Sequence, residues 1–270
     1  MHAAAASVHR RARPLLGTFV EIACHGDGTD CASAIDAAFA AIARIHALMS
    51  PQDAESDVSR MNARAHLEPV AIDRETAFVL RAALELHRDS AGAFDVCAAS
   101  GGNSADIRIE RSNRVRFARP VCIDLGGIAK GYAVDRAVDV LRDHGIARAV
   151  VNAGADLRVL GDRSELVHVR DPVAPSRLLP ALRLAQGAAA TSAGYFSRTI
   201  VDPASGALLA GGDSASVMAP TAMIADALAK VVLLRGAACG ALLRSYNAHA
   251  LVLTASSGTL RARWLPELPA

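Results

Sequence analysis

Three stretches of this sequence hold residue types and spacings that could do chemistry. The first runs Cys122-Ile123-Asp124-Leu125-Gly126-Gly127-Ile128-Ala129-Lys130-Gly131-Tyr132-Ala133-Val134-Asp135. It reads as a short apolar strand ending in an acid, two glycines, then a helix start. Glycines at such a joint let backbone N–H groups approach a phosphate, and a helix N-terminus favours anions. The spacing is neither G-x-x-x-x-G-K-[ST] nor G-x-G-x-x-G, which excludes a P-loop and the dinucleotide fingerprint. Close packing at a strand–helix joint is the plainer reading of the glycines. The second stretch is Ala190-Thr191-Ser192-Ala193-Gly194-Tyr195, followed by Thr199-Ile200-Val201-Asp202-Pro203 and a turn closed by Gly206. Alone it is a polar loop before an Asp-Pro turn. The third places Asp226 among apolar residues of a helix, with Lys230 four residues on and on the same face. A carboxylate in that setting is paired or bound to a cation. An ordinary i,i+4 ion pair, worth about 0.2–0.5 kcal/mol, is the simpler alternative.

The lysines sharpen the choice. Of 29 basic residues only Lys130 and Lys230 are lysine. A chain that uses arginine nearly everywhere keeps its two compact ammonium groups within these stretches.

Hydrophobic periodicity supplies the elements that must position these residues. Thr18 to Ala23 alternates as a strand. Cys31 to Met49 reads as a helix with Ile35, Phe39, Ile42 and Ile45 on one face and Asp30 as its cap. Ser50 to Asn62 reads as loop. Asp73 to Ser90 is a second amphipathic helix capped by Asp73. Short strands are expected at Asp106 to Ile109 and Arg114 to Phe117, around Ser112-Asn113. A helix from Ala129 to His144 stops at Gly145. Strands follow at Ala149 to Leu160 and Leu166 to Arg170. Helices at Thr221 to Leu234 and Ala237 to Ser245 precede a final strand pair, His249 to Thr254 and Thr259 to Trp264. Without a strict βαβ rhythm, this order predicts an α+β domain. Its sheet would be mixed but largely antiparallel, with flanking helices in one body or two lobes. The expected domain covers residues 14–264, with 1–13 as a flexible tail.

The chain has 270 residues, 52% of them hydrophobic and 21% charged, which excludes disorder. A net charge of +2 without a clustered basic excess argues against nucleic-acid binding. No run of about 18 apolar residues is read, so no membrane segment is expected. The N-terminus lacks the layout of a secretory signal. The five cysteines are scattered, without a C-x-x-C pair or metal-ligand spacing. A cytoplasmic protein is the expectation.

Taken together, the three stretches resemble the ApbE-type family of FAD:protein FMN transferases. Asp124 to Asp135 is similar, without a break, to the family's D-L-G-G-I-A-K-G-Y-A-V-D stretch. Ala190 to Tyr195 resembles A-T-S-G-x-Y, and Thr199 to Gly206 resembles H-I-I-D-P-x-T-G. The segment Ala219 to Lys230 resembles the A-P-[ST]-A-M-x-A-D-A-L-A-T helix. Leu15-Leu16-Gly17-Thr18, Ser56 to Asn62 and Gly92 to Val96 resemble further family motifs, so the likeness runs from about Pro14 to Leu253.

The resemblance implies an ApbE-like fold that takes FAD as substrate with Mg2+. It also implies transfer of FMN, through its phosphate, to a Ser or Thr of an acceptor protein, with release of AMP. Leu16, Ala93, Phe94, Asp95, Asp124 and Lys130 fall on flavin- or nucleotide-contacting positions. Thr191 and Ser192 join them from the second motif. Gly127, through its carbonyl, and Asp226 fall on metal-ligand positions. Four departures stand out. The family histidine is Thr199 here, leaving Thr199 and nearby Asp202 as candidates at the reacting hydroxyl. The family's threonine metal ligand is Lys230, which could stand where the cation would. The flavin-stacking aromatic is Gln52. The stretch between Phe94 and Asp124 is short. Two alternatives to the transferase follow: a divergent flavin- or nucleotide-binding protein without turnover, and a metal-dependent FAD pyrophosphatase.

Overall fold

The computed structural model describes residues 7–26, 28–174, 176–194, 200–209, 211–256 and 259–266. Strands β1 (Val8–Leu15) and β2 (Thr18–His25) form an antiparallel hairpin whose loop is Leu16-Gly17. Both loop residues have positive φ, 56° and 71°, as the tight hairpin turn requires. Residues 8–13, expected as a tail, are therefore part of a strand: their backbone groups pair with β2 over its whole length. Helix α1 (Gly28–Met49) follows, with Ile35, Phe39 and Ile42 buried on one face as the spacing predicts. Asp30 lies in its first turn rather than at its cap. The span Asp30–Met49 is long and apolar enough to cross a membrane by length and composition, contrary to the expectation that no segment is. In this fold its apolar face packs into the core.

The expected loop before Asn62 contains helix α2 (Asp57–Arg64), capped by Ser56, whose hydroxyl accepts from the Ser59 N–H. Strand β3 (Val70–Ala71) leads to α3 (Arg74–Asp89), capped by Asp73 as expected. Strands β4 (Ile107–Ile109) and β5 (Arg114–Phe117) pair with each other, and β5 also with β3, in a small antiparallel sheet. Helix α4 (Ala129–Asp143) comes next. The expected strand Ala149 to Leu160 is a hairpin, β6 (Arg148–Ala153) and β7 (Asp156–Leu160), bent at Gly154, whose φ of 72° allows the turn. Strands β8 (Glu165–Arg170) and β9 (Leu178–Leu184) form a two-stranded sheet. Then come β10 (Gly187–Ala193), β11 (Ser214–Ala219), α5 (Ala222–Arg235), α6 (Gly240–Ser245), β12 (His249–Ser256) and β13 (Thr259–Leu265).

Eight strands make one sheet in the order β1-β2-β6-β7-β10-β11-β12-β13. Every described pairing in it is antiparallel, in keeping with the expected α+β fold and its largely antiparallel sheet. Alternate residues separate its two faces. Val20, Ile22, Val151, Ala190 and Ala250 point into the main core beneath α1, α4 and α5. Val159, Ala189, Leu251 and Leu253 point the other way, under β8 and β9. Ala188 and Ala190 on β10, with Ala225 and Ala229 on α5, keep this part of the core small-sided, so helix and sheet lie close. The region from α2 to β5 shares that core: Val58, Met61, Leu80 and Val115 belong to it.

Candidate functional site

The Asp124–Asp135 stretch enters the site as an irregular extended segment, not a strand, before its turn and helix. Its position is fixed by side chains from elsewhere. The Asn62 amide accepts from the Ile123 N–H at 2.8 Å and donates to the Ile123 carbonyl at 3.0 Å. The Ser100 hydroxyl donates to the Cys122 carbonyl at 2.8 Å, and the Asp124 N–H donates to the Val96 carbonyl at 2.8 Å. Asp124 Oδ1 accepts from the Gly126 N–H at 2.7 Å, which folds the chain over into α4.

Helices α4 and α5 then lock together reciprocally. Asp135 on α4 accepts the N–H groups of Ala222 and Met223, the first turn of α5, at 2.8 and 2.9 Å. Asp226 on α5 accepts the Gly131 N–H near the start of α4 at 3.3 Å. Each carboxylate meets donors that its partner helix cannot satisfy internally. The two helices touch at Gly131, where a Cβ would lie 2.7 Å from the Met223 nitrogen and closer still to the Ala222 carbonyl. Only glycine fits there.

At the cleft end of this seam stand four charged side chains. Lys130 Nζ is 2.8 Å from Asp156 Oδ2 and 3.1 Å from Asp226 Oδ2. Lys230 pairs with Asp226 Oδ1 and donates to the Asp226 carbonyl at 3.0 Å. Both acids are almost wholly buried, whereas the Lys130 and Lys230 side chains keep 33% and 20% of their surface. Burial pushes the Asp226 carboxyl up, but the two ammonium groups outweigh it and hold it below the usual carboxylate range. Asp156 is pushed up to about 6 by burial and by the charge of Asp226, against the pull of Lys130. Burial lowers Lys130 less than the two carboxylates raise it, so its ammonium is held firmly charged.

These groups line one side of a cavity of about 470 Å³. Leu16, Ala93, Phe94, Asp95, Asp124, Gly127, Lys130, Thr191, Ser192, Asp226 and Lys230 all line it. Leu16 does so from the hairpin loop, in a left-handed conformation that costs a non-glycine residue about 1–2 kcal/mol. Thr191 shares a hydrogen bond of 2.8 Å with Ser216 across β10 and β11. The Asp95 carboxylate turns inward: Cys97 N–H, Ser104 N–H and the Ser104 hydroxyl donate to it at 2.7, 3.2 and 2.6 Å. Asp95 thus holds the Phe94 loop in shape at the edge of the cavity that it lines.

Three expected site residues fare differently. Gln52 lies exposed away from the cavity lining, hydrogen-bonded to Ser50 at 2.9 Å. Asp202 lies next to cavity residues but pairs with Arg235 at 3.0 Å and accepts from the Ala204 N–H and Ser205 hydroxyl. The Arg235 hydrogen bond, the largest influence, holds its carboxyl below the usual range. Thr199 lies outside the described residues. The metal site expected at Gly127 and Asp226 does not fit the residues present. Lys230 occupies Asp226, its stem would meet a Gly127 Cβ at 3.3 Å, and no group of three acids, histidines or cysteines gathers among the described residues.

Sequence reading missed Asp156 and Asn62 as site residues. Asp156 opens β7 and joins the cluster across 70 residues of chain, so no local spacing reveals it. Its one signal is an acid at the head of an apolar strand.

The site is thus a cleft in an antiparallel α+β fold where a glycine turn at the start of α4 meets two buried acids and two lysines. The match to the model of the ApbE family over residues 16–252 places the chain in that family. Among curated relatives, a FAD:protein FMN transferase of Klebsiella pneumoniae (strain 342) is 27% identical over 207 residues, covering 62% of this chain and 64% of that protein. One of Rhodobacter capsulatus is 36% identical over 136 residues, 45% of this chain and 26% of that protein. One of Treponema pallidum (strain Nichols) is 24% identical over 285 residues, covering 84% and 79%. The chain therefore matches less than two thirds of the length of the first two. Among solved structures, the ApbE protein of Thermotoga maritima superposes with a TM-score of 0.84 at 25% identity, covering 94% of this chain and 96% of that one. Flavin transferase ApbE of Vibrio cholerae gives 0.85 at 21% identity over 97% and 98%, a likeness of fold.

Proposed function

We propose that this chain binds FAD in the cleft between the Asp124 turn and the Lys130–Asp226–Lys230 cluster. It then transfers the FMN moiety to a Ser or Thr hydroxyl of an acceptor protein and releases AMP. The acceptor oxygen bonds to the FMN-side phosphorus, the P–O bond to the AMP phosphate breaks, and AMP leaves with that electron pair. The hydroxyl proton is lost to solvent or a base. The observation that carries this reading is Lys130, whose ammonium stands in the first turn of α4 beside the glycine turn and lines the cavity. Family membership and the names of the relatives support it. Catalysis of this type is positioning plus neutralisation of phosphate charge, which ammonium groups and backbone donors supply. The Mg2+ that the resemblance implies has no fitting site here, so this reading assigns no step to it.

Lys230 on Asp226 also favours a second reading, a flavin- or nucleotide-binding protein without turnover. One assay separates the two, together with FAD pyrophosphatase activity. The protein is incubated with FAD and a peptide carrying the family's flavinylated threonine, followed by chromatography and mass spectrometry. AMP with a peptide mass gain of one FMN minus water is expected. Free FMN and AMP without adduct would make it a pyrophosphatase, and unchanged FAD a binding protein.

A further inference from the structure

We propose that the Lys230 ammonium is a built-in replacement for a divalent cation at Asp226, so that this chain engages the diphosphate of a dinucleotide without metal. The flavin reading above supplies only the identity of that dinucleotide. The replacement itself rests on the arrangement of the cluster.

Both oxygens of Asp226 are taken. Oδ1 meets Lys230, and Oδ2 meets Lys130 at 3.1 Å and the Gly131 N–H at 3.3 Å. Lys230 also bonds the Asp226 carbonyl at 3.0 Å, so one ammonium is anchored on two oxygens of one residue. An ammonium has three donors and no acceptor. Two are spent on Asp226, and one is left for a ligand in the cavity that Lys230 lines. The charge count agrees. Two buried carboxylates face two ammonium groups, so the cluster is neutral as it stands. A hard dication entering there needs about six oxygen ligands. It would have to expel a lysine from a buried pair, which leaves that charge uncompensated. The wall opposite is also spoken for, because the Lys230 stem packs over Gly127 beside the Phe94 ring. The pattern accounts for the lysine count too: the chain's only two lysines are the two cations of this cluster.

The test has two arms on the full chain. In the first, Mn2+ alone is titrated into the protein without nucleotide and followed by calorimetry and electron paramagnetic resonance. The wild type is expected to show no saturable site, and Lys230→Thr to gain one that Asp226→Asn abolishes. A saturable wild-type site lost in Asp226→Asn would overturn the proposal. In the second arm, FAD fluorescence quenching is measured in EDTA and in Mg2+. Equal affinity in both is expected, with a loss of about tenfold or more in Lys230→Met, the size expected for one charge-assisted bond. Affinity that collapses in EDTA would overturn it, as would Lys230→Met binding as tightly as the wild type. Circular dichroism checks that each variant folds, and the wild-type arms need no variant. If FAD binds under neither condition, the flavin reading fails, while the Mn2+ titration still decides the cation.

Discussion

Asp135 and Asp226 sit at similar depth on neighbouring helices, and each accepts N–H groups from the other's helix, yet they are built for different ends. Asp135 faces the seam. Its partners are two backbone donors of α5 and the Arg158 guanidinium at 2.8 Å. Burial outweighs that single cation, and its carboxyl is pushed above the usual range. Asp226 faces the cleft. Two ammonium groups outweigh the same kind of burial, and its carboxyl is held low. One cation and two amides make a staple, whereas two partly exposed ammonium groups keep donors for something else. The difference shows that depth alone does not mark a functional acid; what matters is how many charges accompany it and whether those charges reach open space.

The sharpest way to break this comparison is to remove the staple. Asp135→Ala is expected to cost about 3–5 kcal/mol, because Arg158 and two helix-terminal N–H groups lose their only shared partner. Urea unfolding measures it. A cost near zero would mean that the seam does not depend on Asp135. The next largest effect is expected at Gly131→Ala. A helix ordinarily gains from that change, but here the methyl meets Ala222 and Met223, so the net cost is about 3 kcal/mol, the upper end of overpacking. Increased stability would show that α4 and α5 can part without loss.

How much of this was legible in the sequence depends on the range of each interaction. The Asp226–Lys230 pair lies within one helical turn and was readable from spacing alone. So was the α4 start after Gly126-Gly127, because local chemistry sets it. Helix α2 was hidden, since Asp57–Arg64 is mostly polar outside Val58 and Met61, and its start depends on the Ser56 cap. Strands β10 and β11 were hidden as well: their alanines and serines carry little strand preference, and burial between neighbouring strands decides for them. Asp156 and Asn62 could not be found locally, because their partners lie 26 to 70 residues away. The Arg235 partner of Asp202 was illegible for a related reason. Asp202 was near the right motif, but Arg235, on another element, claims its carboxylate.

That pair gives the smallest and most diagnostic prediction. Asp202 and Arg235 keep 26% and 32% of their side-chain surface, so Asp202→Asn is expected to cost under about 1 kcal/mol. The sign of the pH dependence follows from the lowered carboxyl. The folded state binds its proton less readily than the unfolded chain, so the pair's contribution is present above the ordinary aspartate range. It is lost as pH falls through the lowered value. The stability gap between wild type and Asp202→Asn should therefore close in acid. The same variant weighs Asp202 as a general base, whose loss typically costs about 10²–10⁴ in rate. A carboxylate committed to a guanidinium and held low is a weak proton acceptor, so the fall in FMN transfer should stay well short of that range. A fall within it would return Asp202 to the reacting centre, and with it the sequence's reading of the Ile200–Pro203 segment over the geometry of the Arg235 pair.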